Sequence, residues 1–447
     1  MGIFSSLSYE QREATAILQI GTFLEYFDLM IYVHMAVVLN ELFFPKTDPH
    51  TARLISAAAF CTPFVFRPLG ALIFGYIGDT VGRKATVIIT TMLMALSCVA
   101  MANLPTYAQV GIIASWGITI CRIFQGISSM GEMIGAQIYL TELVKPPLNY
   151  PIVCLIACSD CLGALVALAV VNAVFAFGLE WRVVFWFGAT IAVVGFVART
   201  ALRETPEFAN AKHQIKRTFS NLNIDEKKLQ ESVIVSEKVD KKTAIAYFLT
   251  YCASPACFYF IYVYCGEILK NSFQYTPQQI VRQNLFVALA EFLCVVFLTY
   301  LCCKIHPLKI VKVKAFLFSI VILFAPYLLL RANSPFQVLL VQISCCMFWL
   351  NGVPATPIFF KHFPIFKRFT CISLIFALSR GLMHIITSFG LVYLTEIVGH
   401  YAVTIIFIPL VIGFWYGLLH CEKNEKAIVT HKLYNYQLNL KEVGGTQ

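Results

Sequence analysis

Twelve apolar stretches, each near the roughly 20 residues that a helix needs to cross a hydrocarbon layer, dominate this chain and limit what it can fold into. They lie near residues 16–40, 53–77, 86–104, 108–140, 151–177 and 183–202. After a polar interval the others follow near 243–269, 282–303, 313–331, 335–360, 371–396 and 400–420. The interval, from Arg203 to Lys242, carries mixed charge, including Lys212, Lys216, Arg217, Lys227, Lys228, Lys241 and Lys242. Six spans, a bridge and six spans form an internal repeat, which is one plan for a membrane transporter. The expected fold is all-α and polytopic, with twelve transmembrane helices in two six-helix bundles. The expected units are 1–202, a cytoplasmic linker 203–242, a second bundle 243–420 and a short cytoplasmic tail 421–447.

Composition agrees with a lipid solvent. Charged residues make up 13% of the chain and hydrophobic residues 59%, against about 25% charged in soluble domains. The net charge of +10 does not point to nucleic acid, because the bases sit in short gaps between apolar runs rather than on one soluble face. Arg83 and Lys84, then Lys145, the central bridge, Lys304, Lys309, Lys312 and Lys314, and finally Lys361, Lys367 and Arg368 fall in alternate gaps. Leu104 to Gln109 has no base. This positive-inside pattern places both termini and the bridge in the cytoplasm. Met1 to Arg12 has no apolar core followed by a cleavage site, so the first span is expected to stay as an anchor. The 16 cysteines have no metal-ligand spacing, and the adjacent pairs Cys302-Cys303 and Cys345-Cys346 read as soft packing residues. No zinc-type His/Glu motif, nucleophile elbow or P-loop is evident, so neither an enzyme, a metal nor a cofactor is expected.

Charges inside apolar spans are the most informative residues, since each needs a partner or a watery cavity. Span one holds Glu25, Asp28 and Tyr32 on one helical stripe. The two carboxylates can share a proton or pair with a bundle arginine. Span two offers Arg67, either a partner for those acids or a packing clamp. Span four carries Arg122, Gln125 and Glu132, with Gly131 and Gly135 as a small-xxx-small patch. Its arginine suits an anionic group and its acid suits proton binding, unless the two form an internal ion pair. Asp160 lies in span five beside Gly163. Span seven is aromatic, with Tyr251, Phe258, Tyr259, Tyr262 and Tyr264. These rings can cage a quaternary ammonium or form an interfacial belt, the belt being the reading for Tyr264. Asn351, Gly352, Pro354 and Pro357 predict a kinked span ten. Arg380 and His384 share a face of span eleven.

The loop Gly78-Asp79-Thr80-Val81-Gly82-Arg83-Lys84 resembles the G-D-x-x-G-R-[KR] signature of the major facilitator superfamily and falls between spans two and three. Glu25-Tyr26-Phe27-Asp28, Arg67-Pro68-Leu69-Gly70, Arg122-Ile123-Phe124-Gln125-Gly126 with Gly131-Glu132, Trp181-Arg182 and Arg203-Glu204-Thr205-Pro206-Glu207-Phe208 narrow the resemblance to the metabolite:proton symporter family, proline/betaine transporters above all.

The resemblance implies alternating access, proton symport and a zwitterionic or small carboxylate substrate in a bacterial inner membrane. Glu25, Asp28, Arg67, Arg122, Glu132 and Asp160 would then line the pathway, and Gly78, Asp79, Gly82, Arg83 and Lys84 would gate it. The expected partners are a small-molecule substrate, protons and the lipid bilayer, with the chain working as a monomer. The equivalent loop of the second half, Cys303 to Lys309, lacks the glycines and the Asp, so a second latch is not expected. Residues 421–447 show no sustained apolar heptads, so coiled-coil osmotic control is not expected. Two alternatives stay open: a proton-coupled organic-acid symporter, and a non-transporting sensor derived from a transporter.

Overall fold

In a computed structural model, which describes residues 7–46, 49–210 and 239–444, the described residues outside turns and loops are helical. The first bundle holds α1 (Tyr9–Phe43), α2 (Pro49–Thr80), α3 (Arg83–Asn103), α4, α5 (Asn149–Phe177) and α6 (Arg182–Arg199). The second holds α7, α8 (Pro277–Leu301), α9 (Pro307–Leu330), α10, α11 (Arg368–Val398) and α12 (Tyr401–Gly444). Three of the twelve are interrupted. α4 runs Ile112–Ser129, widens to a π-helix at Met130–Ile134 and ends as Gly135–Leu143; α7 runs Lys241–Phe258, widens at Tyr259–Tyr264 and ends as Cys265–Phe273. α10 is two pieces, Pro335–Met347 and Thr356–Lys361. Among the described residues ten helices are long and apolar enough to cross a membrane, and α4 and α10 complete the twelve-helix fold.

Local chemistry sets many of the ends. Ser8 and Gln11 cap α1 reciprocally, as Thr276 and Gln279 cap α8. Pro277, Pro307 and Pro335 open their helices, where a missing N–H costs nothing. Span ten is broken rather than kinked, between residues 347 and 356. The break is tolerated at membrane depth because Lys314 Nζ donates to Asn351 Oδ1 (2.9 Å) and to the Val353 carbonyl (3.3 Å). Lys314 is therefore not a loop charge: it is buried in α9. α12 continues past residue 420 to Gly444 as one helix.

α1 packs on α5 and α6, and α2 and α3 on α4, while α7 packs on α11 and α12, and α8 and α9 on α10. The bundles meet along α2 with α11 and α5 with α8, and the short helix Thr356–Lys361 rests on the ends of α4 and α5. Outward-facing Leu72, Trp116, Val194, Phe297, Phe316 and Leu419 stay exposed, as a lipid-facing girdle requires. Inside the first bundle α2 and α4 touch backbone to backbone. A Cβ on Gly70 would lie 2.8 Å from Ile127 Cα, and one on Gly126 would lie 2.6 Å from Pro63 Cα. Gly126→Ala is expected to destabilise the protein by about 1–3 kcal/mol through overpacking. Gly266→Ala meets only Ile280 Cγ2 at 3.5 Å and is expected to be neutral. Thermal unfolding of the two variants in detergent compares them directly.

Candidate functional site

Midway along their helices, the in-span charges of the first bundle form two ion pairs. Arg67 Nη2 donates to Glu25 Oε1 at 2.8 Å, and Arg122 Nη1 lies 3.6 Å from Asp28 Oδ2. α1 presents both acids on one stripe, facing α2 for Glu25 and α4 for Asp28. Arg122 also donates to Gln125 Oε1 at 3.0 Å and stacks over Tyr32, 3.8 Å from the ring centre. Between the pairs lies a cavity of about 20 Å³ lined by Glu25, Asp28, Arg67, Arg122, Gln125 and Ser129. That is room for about one water.

Several polar atoms around this cavity have no partner although they are buried. They include Nε and Nη1 of Arg67, Nε of Arg122 and Nε of Arg380. Unmade guanidinium hydrogen bonds in a dry interior are costly, and their fork geometry fits a carboxylate. Asp160, 6% exposed, makes no hydrogen bond or ion pair among the described residues. Arg380 crosses from α11 to α1, its Nη2 donating to Tyr26 Oη at 3.1 Å and its guanidinium lying 4.6 Å above Phe376. His384 stacks on Phe64 at 3.8 Å, and Arg67 lies over the other side of that neighbourhood, 4.9 Å from the same ring.

The π turns change two readings. Gln125 and Glu132 do not keep the one-face relation of a straight helix, because Met130–Ile134 adds a residue to the turn. The Glu132 side chain lies outside the described residues. In α7, Tyr259, Tyr262 and Tyr264 are all buried, so Tyr264 is not part of an interfacial belt; its hydroxyl is 2.7 Å from His400 Nδ1. Tyr262 faces the seam between the bundles, donating to Glu291 Oε2 at 2.8 Å with its ring edge against His34. Tyr259 is buried and makes no side-chain hydrogen bond to the ion pairs among the described residues.

The signature loop builds a second site at the end of α2. Asp79 of the first bundle accepts from Phe369 N (3.1 Å) and Thr370 N (2.8 Å), capping α11 of the second. A carboxylate at a helix N-terminus satisfies orphan N–H groups and the helix dipole together. Arg83, fully buried, bonds both carboxylate oxygens of Glu142 at 3.1 Å, Asp79 at 3.3 Å and the Ile365 carbonyl at 2.8 Å; it also donates to the Gly78 carbonyl. Its guanidinium covers Phe208 at 4.4 Å. Arg368 bridges Glu142 and Glu207, each at 3.0 Å. Gly78 leaves space for the Phe369 ring, 2.6 Å from where a Cβ would stand.

Gly82, at φ 150°, lets the Glu204 carboxylate reach Arg83 N (3.0 Å) and Lys84 N (3.4 Å) at the start of α3. The residues just after α6, expected as the start of a linker, are thus docked under the loop, with Phe208 buried. Sequence reasoning gave Glu142, Glu204, Glu207 and Arg368 no role. In the sequence Arg368 reads as a loop base, and Glu204 and Glu207 stand only as part of the motif after span six.

No carboxylate from the equivalent loop of the second half caps α5 among the described residues. His306 there sets its ring edge on Tyr150, 6.2 Å between centres, while Cys154, Leu298 and Cys302 pack together. The contact is apolar and weakly directional where the first latch is charged.

These geometries agree with the comparisons to known proteins. A family model described as Major Facilitator Superfamily matches residues 18–421. The inner membrane metabolite transport protein YhjE of Escherichia coli is 37% identical over 218 residues, 45% of this chain and 49% of that protein. The proline/betaine transporter of Escherichia coli is 32% identical over 205 residues, 44% of this chain and 41% of that protein. The chain thus spans about half or less of the length of the curated relatives it matches. The proton:xylose symporter XylE of Escherichia coli has the same fold, with a TM-score of 0.73 at 14% identity over 93% of this chain and 95% of that one. A family match across both halves, a charged latch at the signature loop and twelve helices in two bundles place this multi-pass membrane chain among transporters rather than enzymes: it belongs to the Major Facilitator Superfamily.

Proposed function

We propose that the chain is a proton symporter for a small zwitterion of the proline or betaine kind. It works by alternating access in a bacterial inner membrane, with both termini and the 203–242 bridge in the cytoplasm. The observation that carries this reading is the set of buried guanidinium N–H groups on Arg67, Arg122 and Arg380 that donate to nothing, opposite an equally unpartnered Asp160. Spare donors and a spare acceptor within one seam complement a molecule bearing a carboxylate and a cation.

Arg67 and Arg380 take the carboxylate, and Asp28 exchanges a proton against its 3.6 Å ion pair with Arg122. Tyr32 holds Arg122 in place from its other face. The Asp79–Arg83 latch, seated by Gly78, Gly82 and Lys84, closes the cytoplasmic side. The proline/betaine transporters among the relatives support the substrate class, and the three guanidinium groups around the seam also support a second reading, an organic-acid symporter.

Uptake of labelled proline, betaine and 2-oxoglutarate into membrane vesicles, with and without a protonophore, tests it. Accumulation of a zwitterion that collapses with the proton gradient is expected. Accumulation of 2-oxoglutarate alone selects the second reading, and uptake indifferent to the gradient for all three removes symport.

A further inference from the structure

Span eight contains one acid, Glu291, deep in the apolar run of α8. Its carboxylate accepts from Tyr262 Oη at 2.8 Å, and the Cys161 and Cys346 thiols stand in its surroundings. No basic side chain pairs with it among the described residues. The base whose field reaches it, Lys314, is tied to Asn351 and Val353. A carboxylate held by one phenol, with only thiols, at best weak donors, beside it, is under-satisfied for a charge within a span.

Cys161 is the neighbour of Asp160 in sequence, and α5 packs on α8. Glu291 from the second bundle and Asp160 from the first therefore flank the same α5–α8 seam, within electrostatic reach of each other. Asp160 supplies an independent sign of a missing ligand: it is nine-tenths buried and its Oδ1 has no partner. Glu25 and Arg380 are its other charged neighbours, and both are engaged, with Arg67 and Tyr26.

We propose that Glu291 and Asp160, one from each bundle, form the subsite that accepts the cationic end of the substrate, while Arg380 takes its carboxylate. This rests on the zwitterion reading above and deepens it. A cation bound here pairs with two acids that form no ion pair with a protein base among the described residues. Because the acids come from different bundles, an ammonium between them draws the halves together, whereas the empty pair repels. Tyr262 positions Glu291 for this, since its hydroxyl donates to Oε2 and leaves Oε1 to the substrate. Secondary and primary ammonium groups, which can donate to both acids, are favoured over quaternary ones, which cannot.

The test uses the full chain in proteoliposomes and measures counterflow, which needs no proton gradient. Labelled proline is competed by unlabelled proline, by betaine and by tetrahydrofuran-2-carboxylate, an isostere of proline without the ammonium. Wild type is expected to prefer proline to the furan acid by at least about tenfold, and Glu291→Gln to lose that preference through weaker proline binding with the furan acid unchanged. Glu291→Asp is expected to recover part of it, and Tyr262→Phe to lower it about threefold.

Equal loss of both ligands in Glu291→Gln, or an unchanged preference, overturns the subsite. So does a variant that keeps full proline counterflow but loses proton-driven uptake, which would assign Glu291 to coupling instead. Wild-type counterflow of neither proline nor betaine overturns the zwitterion reading itself and the subsite with it. Should Glu291→Gln not survive purification, Tyr262→Phe and Glu291→Asp carry the same comparison, and an unmoved proline-to-furan ratio in both overturns the proposal.

Discussion

Arg83→Ala is expected to open the cytoplasmic face and abolish productive transport. In the closed form Arg83 neutralises Glu142 and Asp79, reaches across to the Ile365 carbonyl and covers Phe208. Removing one partner of a buried pair costs about 3–5 kcal/mol, because the charges left behind have no water. Glu142 keeps Arg368 and Thr205, which moderates the loss, yet Asp79 keeps only the N–H groups of α11. Much of the penalty is specific to the closed form, since opening separates α2 from α11 and lets water reach the acids. A bias of about 3 kcal/mol shifts a two-state equilibrium by about two orders of magnitude. Hydrogen exchange at Phe369 and Thr370, whose N–H groups Asp79 holds, reads the change, and protection equal to wild type would exclude Arg83 from the latch. Asp79→Asn, which keeps an acceptor and loses a charge, is expected to give a smaller shift of the same sign.

A second large effect is expected of Asp28→Asn. Asparagine imitates the protonated acid, so the carrier is fixed in one protonation state while its shape is preserved. Proton-driven accumulation should fall by at least about a hundredfold, the ordinary range for removing a positioned proton-transfer group, and substrate counterflow should persist within a few fold. Arg122 would keep Gln125 and the Tyr32 ring, which limits collapse of the site. Parallel loss of accumulation and counterflow would make Asp28 a structural partner of Arg122 and end its assignment as the proton carrier. The comparison with Glu25→Gln is informative, because the Glu25–Arg67 contact is shorter, 2.8 Å against 3.6 Å. Both pairs border the water-sized cavity, so the longer separation of the Asp28–Arg122 pair is what favours Asp28 as the proposed proton carrier.

Helix number was legible because apolar length is a local property, whereas the ends of α1 and α12 and the break in α10 were not. Charges inside spans were legible as a group for the same reason: each stands out against its neighbours in the bilayer. Glu291 satisfied that criterion as well as Asp160 did, and its single acid in an apolar run was the signal that could have identified it. Glu142 and Arg368 could not be separated from ordinary loop charges, since their burial depends on Arg83 and Glu207 arriving from elsewhere in the chain. Lys314 was misplaced for a related reason. A lysine near a span end reads as cytoplasmic, and only the break in α10 offers it the carbonyl and amide oxygens that make burial affordable.

By itself the sequence determined the solvent, the twelve helices, the two-part plan and the loop that would hold a latch, all properties of consecutive residues in a hydrocarbon layer. Tertiary structure decided which acid meets which guanidinium, that Asp79 caps a helix of the opposite bundle, that the segment after α6 seats the latch, and that Asp160 and Glu291 flank one seam with no ion pair among the described residues. Pairing is a matter of three-dimensional distance between residues up to 354 positions apart, and the low dielectric that makes each pair or missing pair consequential exists only once the helices have packed.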